Sequence, residues 1–222
     1  MASILSTKKL KPNQRDLLLG AGFSVVDYNA IGIEFLDFEM PSEIKNGIFT
    51  SQNSVRALIN NSEFTPSQWE RAGVKVFCVG QKTKALLEQN KLKVVKTTDY
   101  GEDLADFITK NHKNDSFHFF CGTIRREEIP KALLASKIEF IEVKTYKTTL
   151  KPKKFVQKWN GILFFSPSAV ESFATENKID TSIAFCIGKT TAAEAQKYTS
   201  NVVVANTTSV ESVIAKAVKT LK

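Results

Sequence analysis

Two serine-containing junctions in the sequence have the side chains needed to bind anions. Each is an apolar run followed by hydroxyl or amide residues and a helix pattern, with Thr50, Ser51 and Asn53 at the first and Ser166 and Ser168 at the second. The first turn of a helix has unpaired N–H groups and a partial positive charge, so hydroxyl groups there can donate to an anion. The pattern indicates anion binding, although plain N-capping remains open for each residue by itself.

Two glycine-containing junctions have a related layout. Gly80 precedes Thr83, and Gly188 precedes Thr190 and Thr191. A glycine at the end of a strand lets the backbone approach a ligand closely. Each glycine junction comes about 20 to 30 residues after a serine junction, and a two-part pattern that occurs twice indicates two related lobes.

The segments between the junctions predict the elements that position them. Short β-branched or aromatic runs alternate with helix patterns of about 10 to 15 residues, which is typical of βα units and a parallel sheet. One helix is predicted over Arg125–Ser136. Strand follows strand at Ile31–Phe38 and again at Glu139–Val143 and Thr145–Leu150, where the chain is expected to cross between lobes. Because ligands of open α/β sheets bind beyond the carboxyl ends of the strands, we expect the junctions to face a cleft between the lobes.

Composition limits the class of protein. The chain has 222 residues and is 42% hydrophobic, which is enough for one large or two small domains. No apolar run approaches the roughly 20 residues of a membrane span, and the first residues lack the pattern of a signal peptide. We therefore expect a cytoplasmic protein with no membrane partner.

The formal net charge of +8 favours nucleic acid, an anionic membrane or a polyanionic small molecule as the partner. The lysines are scattered and form neither an Arg-rich arm nor a basic helix, so no nucleic-acid partner is predicted. A solvated basic face and attraction of an acidic small molecule both remain open.

The cysteines and histidines argue against a disulfide framework and a metal site. The odd number of cysteines and their apolar, strand-like surroundings predict buried thiols in a reducing compartment. The cysteines are Cys78, Cys121 and Cys186. There are only two histidines and no CxxC or HExxH motif, so we predict no metal ligands.

Several segments of the chain together resemble the uroporphyrinogen-III synthase family. They cover most of the chain and occur in the family's order. The segments are Ile4–Thr7, Ile48–Val55, Val79–Thr83, Cys121–Glu127, Val143–Thr148, Phe164–Val170 and Ile187–Ala192.

The resemblance implies an α/β fold of two flavodoxin-like lobes, each a parallel sheet flanked by helices. A two-stranded β-ladder would join them. Lobe 1 would contain residues 1–32 and 150–222, and lobe 2 would contain residues 33–149 with the linker strands.

The resemblance also implies a cyclising lyase of haem biosynthesis. The substrate would be hydroxymethylbilane, a linear tetrapyrrole rich in carboxylates. The enzyme would remove a hydroxyl as water, invert ring D through a spiro intermediate and close the macrocycle as uroporphyrinogen III, without a cofactor. A monomer, and a transient handover of substrate from hydroxymethylbilane synthase, are further expectations.

Tyr146 matches the family's tyrosine and is the predicted catalytic residue. A phenol with a pKa of about 10 is protonated at neutral pH and can donate a proton to a departing hydroxyl; packing of a strand tyrosine on the ladder is the alternative. Arg125 is expected either to pair with a substrate carboxylate through two N–H groups or to be an exposed arginine beside Glu127 and Glu128. The substrate-binding residues that the resemblance implies are Thr50, Ser51, Asn53, Gly80, Thr83, Gly122, Arg125, Ser166, Ser168, Gly188, Thr190 and Thr191.

One other function remains open. A non-catalytic, two-lobed protein that binds a polyanionic small molecule would use the same cleft and the same helix N-termini.

Overall fold

The computed structural model describes residues 2–222 and divides into two compact units. Unit 1 contains the chain up to Gly32 together with Thr149–Lys222, and unit 2 is Ile33–Thr148. The polypeptide passes between the units at two points, which lie in strands β3 (Ile31–Phe35) and β8 (Phe140–Leu150).

Strands and helices alternate along most of the described chain. The other strands are β1 (Ser3–Ser6), β2 (Ser24–Asp27), β4 (Asn46–Phe49), β5 (Lys75–Val79), β6 (Val94–Thr98), β7 (Phe117–Gly122), β9 (Gly161–Phe164), β10 (Ile183–Cys186) and β11 (Val202–Val204). The helices are α1 (Pro12–Leu19), α2 (Gln52–Asn60), α3 (Pro66–Arg71), α4 (Gln81–Gln89), α5 (Gly101–Asn111), α6 (Glu128–Ala135), α7 (Pro167–Glu176), α8 (Lys189–Ala195) and α9 (Val210–Leu221).

Unit 1 is built on a parallel sheet with the strand order β11-β10-β9-β1-β2. Successive side chains of a strand point to opposite faces. Leu5 and Ile162 pack against α7 and α8 on one face, whereas Ile4 and Leu163 pack against α1 and α9 on the other. Because both faces are covered, the central strands β1 and β9 are buried along their whole length and are apolar apart from Ser3 and Ser6.

Unit 2 has a sheet with the strand order β3-β8-β7-β4-β5-β6, in which β8, β7, β4, β5 and β6 are parallel. Ile48 and Phe119 pack against α5 and α6. Phe49 and Phe120 stack with their ring centroids 4.8 Å apart and pack against α2, α3 and α4 on the other face. At the edge of this sheet, β3 is hydrogen-bonded to β8.

The predicted α/β fold with two parallel sheets flanked by helices is confirmed. Parallel strands end at the same edge of their sheet, so each unit collects its polar junctions along one carboxyl edge. In unit 2 these junctions follow β4 at Ser51 and β5 at Gly80, and in unit 1 they follow β9 at Ser166 and β10 at Gly188.

The structure differs from the predicted elements around β8. The two strands predicted on either side of Lys144 form one continuous strand, with a register shift against β7: Cys121 pairs with Lys144, and Gly122 pairs with Tyr146. Thr145 is therefore an extra residue in the pairing, and its hydroxyl donates to the Cys121 carbonyl at 3.2 Å. A bulge of this kind bends a strand without ending it.

The helix predicted from Arg125 begins three residues later, at Glu128. The preceding residues are held in a turn by two bonds to β8. Thr123 N–H donates to the Tyr146 carbonyl at 2.9 Å, and Arg125 Nε donates to Glu142 Oε1 at 2.6 Å.

Within residues 2–222, no helix is both long enough and apolar enough to cross a membrane.

His118 is a buried polar residue on β7. Its Nδ1 has no hydrogen-bond partner among the described residues. Burial lowers the pKa of His118, because an imidazolium ion would lose its hydration there. The folded state therefore favours the neutral side chain.

We expect His118→Leu to reduce the loss of stability in mild acid. His118 binds a proton less readily in the folded state than in the unfolded state. The resulting loss of unfolding free energy is absent above the unfolded pKa of about 6.5 and grows as the pH falls below that value. One such group contributes at most about 1.4 kcal/mol per pH unit to the slope of the unfolding free energy. Urea unfolding at about pH 8 and about pH 5 measures this slope, and equal slopes in the wild type and the variant would contradict the prediction.

Candidate functional site

Tyr146 lies on β8 next to the end of β7, where the register shift pairs it with Gly122. The phenol ring occupies the space beside the Gly122 Cα. A Cβ atom on Gly122 would lie 2.8 Å from Cζ and 3.1 Å from Oη of Tyr146. Glycine at position 122 is therefore what gives the ring room in this orientation.

Ser51 connects Tyr146 to the start of α2. Its Oγ accepts a hydrogen bond from Asn53 N–H at 3.1 Å and caps the helix. The same hydroxyl lies near enough to the Tyr146 phenol to act on its pKa as a hydrogen-bond partner. Because Ser51 Oγ already accepts from the backbone, its own proton can point to the phenol oxygen, which leaves the phenol proton for another acceptor.

The surroundings keep Tyr146 protonated at neutral pH. Burial raises the pKa of Tyr146, the Ser51 hydrogen bond opposes this rise, and the Cys121 thiol adds to it. The resulting pKa lies above the ordinary tyrosine value. The phenol is thus suited to donating a proton or a hydrogen bond.

Arg125 forms an ion-pair network in the turn before α6. Its Nε and one terminal nitrogen bind Glu142, and the other terminal nitrogen binds Glu127. Glu142 also accepts a hydrogen bond from Lys144 Nζ. The arginine is mostly buried and is thus a partner of protein carboxylates in this structure.

The network shifts the protonation of Arg125 and Glu142 toward their charged forms. Burial by itself would lower the pKa of Arg125, but its hydrogen bonds to Glu142 and Glu127 raise it. Burial would raise the pKa of Glu142, but the hydrogen bonds from Arg125 and Lys144 bring it below its ordinary value. Glu142 therefore stays a carboxylate at neutral pH.

The other predicted residues of unit 2 lie at neighbouring strand ends. Thr50 and Asn53 flank Ser51 at the start of α2. Gly80 has a φ of 87°, a conformation that favours glycine, and forms the turn before α4. Thr83 is buried in the first turn of that helix. The structure thus brings Tyr146 into contact with residues at 51 and 122, and it places the remaining ones along the same edge.

Unit 1 has a corresponding pair of junctions. Ser166 Oγ accepts from Ala169 N–H at 3.1 Å and caps α7, with Ser168 in the first turn. Gly188 is extended and precedes α8. Thr190 is exposed, whereas Thr191 is buried. Of the two threonines, Thr190 is therefore the one whose side chain a ligand can reach.

Sequence reasoning missed three residues beside Tyr146, namely Glu142, Lys144 and Thr145. Strand alternation in the sequence would place Glu142 and Lys144 on the same side as Tyr146. The bulge reverses this relation, because Lys144 pairs with Cys121 and Tyr146 pairs with Gly122, the next residue of β7. No sequence signal identifies Thr145 as the extra residue, because a bulge is defined by the pairing of two distant segments. Across residues 2–222, no group of three or more His, Cys, Asp or Glu side chains is placed to hold a metal ion.

Comparisons with known proteins agree with this fold. The family model described as uroporphyrinogen-III synthase HemD matches residues 14–215. None of the curated proteins that were compared matches the chain.

Solved structures with the same fold include the uroporphyrinogen-III synthetase of Helicobacter pylori, with a TM-score of 0.75, 19% identity and 100% of both chains covered. A mutant uroporphyrinogen III synthase from Thermus thermophilus has a TM-score of 0.66 at 13% identity, again over 100% of both chains. The wild-type Thermus enzyme has a TM-score of 0.51 at 12% identity, over 100% of this chain and 98% of that one.

We expect Gly122→Ala to displace the Tyr146 ring and break its hydrogen bond to Ser51, because the new methyl group would overlap the ring. Gly188→Ala is the matched control, since its Cβ would meet nothing closer than Thr208 Cγ2 at 3.7 Å. Crystal structures of both variants measure the ring position. An unmoved ring in Gly122→Ala, with the Ser51 bond intact, would contradict the prediction.

Proposed function

The chain belongs to the uroporphyrinogen-III synthase family, and we propose that it converts hydroxymethylbilane to uroporphyrinogen III at the unit 2 edge that carries Tyr146. The observation that supports this location is the contact of one protonated phenol with a capping serine and a glycine that leaves room for it. Membership of the family indicates the reaction, and the position of the Tyr146 phenol supports its role as the proton donor in the first step.

In that first step, the C–O bond to the substrate hydroxyl breaks and the hydroxyl leaves as water. The Tyr146 phenol donates the proton that the departing oxygen takes up. The Ser51 hydroxyl stabilises the phenolate by donating to its oxygen, and the positive end of α2 lies on the same side. Ring closure releases one proton from the substrate cation, and this proton returns to the phenolate, so the phenol is restored. The cation left on the substrate reacts within the same molecule, so ring D inversion and ring closure depend on how the chain is held.

The strand-edge junctions of each unit, taken by itself, offer hydrogen-bond donors for carboxylates. In unit 2 the proposed donors are Thr50, Ser51, Asn53 and the backbone near Gly80 and Gly122. In unit 1 they are Ser166, Ser168, Thr190 and the backbone near Gly188. Buried Thr83 and Thr191 are proposed to shape their turns, since their side chains are withdrawn from solvent.

The proposal extends to a cytoplasmic monomer that receives its substrate directly from hydroxymethylbilane synthase. The free and buried thiols of Cys78, Cys121 and Cys186 support a reducing compartment. Sedimentation of the purified chain, with and without the preceding enzyme, tests the monomer and the handover together.

The activity is tested with freshly made hydroxymethylbilane and separation of the uroporphyrinogen isomers. Type III product above the spontaneous type I background is the expected result. Binding of the substrate with only type I product would instead support the non-catalytic binding protein.

We expect Tyr146→Phe to slow turnover without abolishing it. The substrate loses its hydroxyl readily, so loss of the phenol should lower kcat by about 10- to 100-fold, at or below the lower end for a positioned proton donor. Initial rates of type III formation measure this effect. A wild-type rate in Tyr146→Phe would remove the phenol from the mechanism.

Ser51→Ala is expected to lower both stability and kcat. Loss of the helix cap should cost about 1 kcal/mol of unfolding free energy, and loss of the bond to Tyr146 should slow the reaction. Ser209→Ala is the matched control, because Ser209 caps α9 in the same way, accepting from Ser212 N–H at 3.1 Å. Equal kcat values in the two variants would show that Ser51 serves only as a cap.

A further inference from the structure

Thr145 interrupts the alternation of side chains along β8. Cys121 pairs with Lys144 and Gly122 pairs with Tyr146, so β8 has one extra residue between two pairs that are consecutive on β7. Successive residues of a strand point to opposite faces of its sheet. Tyr146 therefore lies on the face opposite to that of Lys144, whereas regular pairing would place both side chains on one face.

The face of the sheet decides which groups the phenol meets. Phe120 packs against α2, whereas Cys121 packs against α5 and α6 on the other face. Gly122 comes two residues after Phe120 and returns to the α2 side. Because Tyr146 pairs with Gly122, its ring is also on the side of α2, the helix that Ser51 caps. Regular pairing would put the ring on the α5 and α6 side, away from that serine.

Three hydrogen bonds hold β8 at the bulge. Thr145 Oγ1 donates to the Cys121 carbonyl at 3.2 Å, and the Thr145 carbonyl accepts from the N–H of Leu36, which follows β3, at 3.0 Å. The Tyr146 carbonyl accepts from Thr123 N–H at 2.9 Å. The second and third bonds join backbone groups, which almost any residue type provides. The hydroxyl bond is the one that depends on threonine at position 145.

The environment of Thr145 makes this hydroxyl bond important. The side chain is fully buried, and a buried hydroxyl without a partner is unfavourable. Regular pairing would place Thr145 opposite Gly122, one position further along β7 and on the α2 side. The bond to the Cys121 carbonyl is made in the bulged pairing, so it stabilises that pairing relative to the regular one.

We propose that Thr145 is a positioning residue: its hydroxyl holds the bulge, and the bulge keeps the Tyr146 phenol on the side of Ser51 and α2. Thr145 does not contact the reacting atoms and acts through the strand. This inference rests on the proposed function, because its effect on the reaction passes through the phenol as proton donor.

The test compares Thr145→Val with Thr145→Ser in the full chain, using hydroxymethylbilane and type III formation. Valine keeps the branched shape and removes the donor, whereas serine keeps the hydroxyl. We expect Thr145→Val to lower kcat about tenfold with KM changed less than about twofold, and to have no larger effect than Tyr146→Phe. Thr145→Ser should stay within about threefold of the wild-type kcat. A wild-type kcat in Thr145→Val would overturn the proposal.

Ser182→Ala is the matched control. Ser182 is also buried, and its Oγ donates to the Trp159 carbonyl at 2.7 Å over a separation of 23 residues, compared with 24 for Thr145 and Cys121. It precedes β10, at the opposite end of that strand from the Gly188 junction. Both Thr145→Val and Ser182→Ala should lower the urea midpoint of unfolding, but only Thr145→Val should lower kcat. An equal loss of kcat in the two variants would contradict a specific role of Thr145.

A double variant distinguishes action through the phenol from a general loosening of the sheet. In the Tyr146→Phe chain, Thr145→Val should change kcat less than about twofold, because the group that Thr145 positions is already absent. A further loss as large as in the wild-type chain would overturn the proposal. Failure of both Thr145→Val and Thr145→Ala to fold, where Ser182→Ala folds, would also overturn it, because the hydroxyl would then hold unit 2 together instead of placing one ring.

Crystal structures of the wild type and Thr145→Val measure the ring position independently of the reaction. We expect the Tyr146 ring to leave its place beside Gly122 in the variant. An unmoved ring, together with type III product from the wild type, would overturn this inference and leave the proposed function intact. Only type I product from the wild type would overturn the proposed function, even where the ring moves as expected.

Discussion

Parallel pairing of β4, β7 and β8 determines where the polar groups of unit 2 meet. Strands β4 and β7 end at the carboxyl edge, whereas β8 continues past it. One residue of β8 therefore lies beside the ends of the other two strands. Tyr146 is that residue. Its backbone is held by the bond from Thr123 and by the pairing with Gly122. A group on a strand is positioned more tightly than a group on a loop, and a reaction that depends on holding a long substrate benefits from such an anchor.

The electrostatics of the site follow from this placement. The phenol is buried enough to stay protonated, and the charged groups nearby are neutralised largely by one another. The site therefore contains a weak acid in a balanced field and no strongly activated base. That combination suits a substrate whose hydroxyl leaves readily but whose ring closure must be directed to one of two isomers. A stronger acid would also accelerate the spontaneous closure to the type I isomer.

Sequence reasoning found the parts of the fold that depend on local patterns. Alternating strands and helices, serine caps at Ser51 and Ser166, and the strand-end position of Gly80 all follow from periodicity and backbone preference. It was wrong about the break in β8 and about a helix starting at Arg125, because both depend on contacts between distant segments. The contact of Tyr146 with Gly122 has the same origin, since it is created by register. Residue types at single positions could indicate the tyrosine and the glycine, but not that one packs on the other.

The extra residue at Thr145 also limits how this segment can change during evolution. Insertion or deletion of one residue in β8 ahead of Tyr146 would bring Thr145 or Lys147 opposite Gly122, and the phenol would move to the other face of the sheet. A substitution along the strand alters one side chain, whereas a change of length by one residue moves every shifted side chain to the other face of the sheet. The strand should therefore vary in composition among functional descendants while its residue count from the bulge to the tyrosine stays constant.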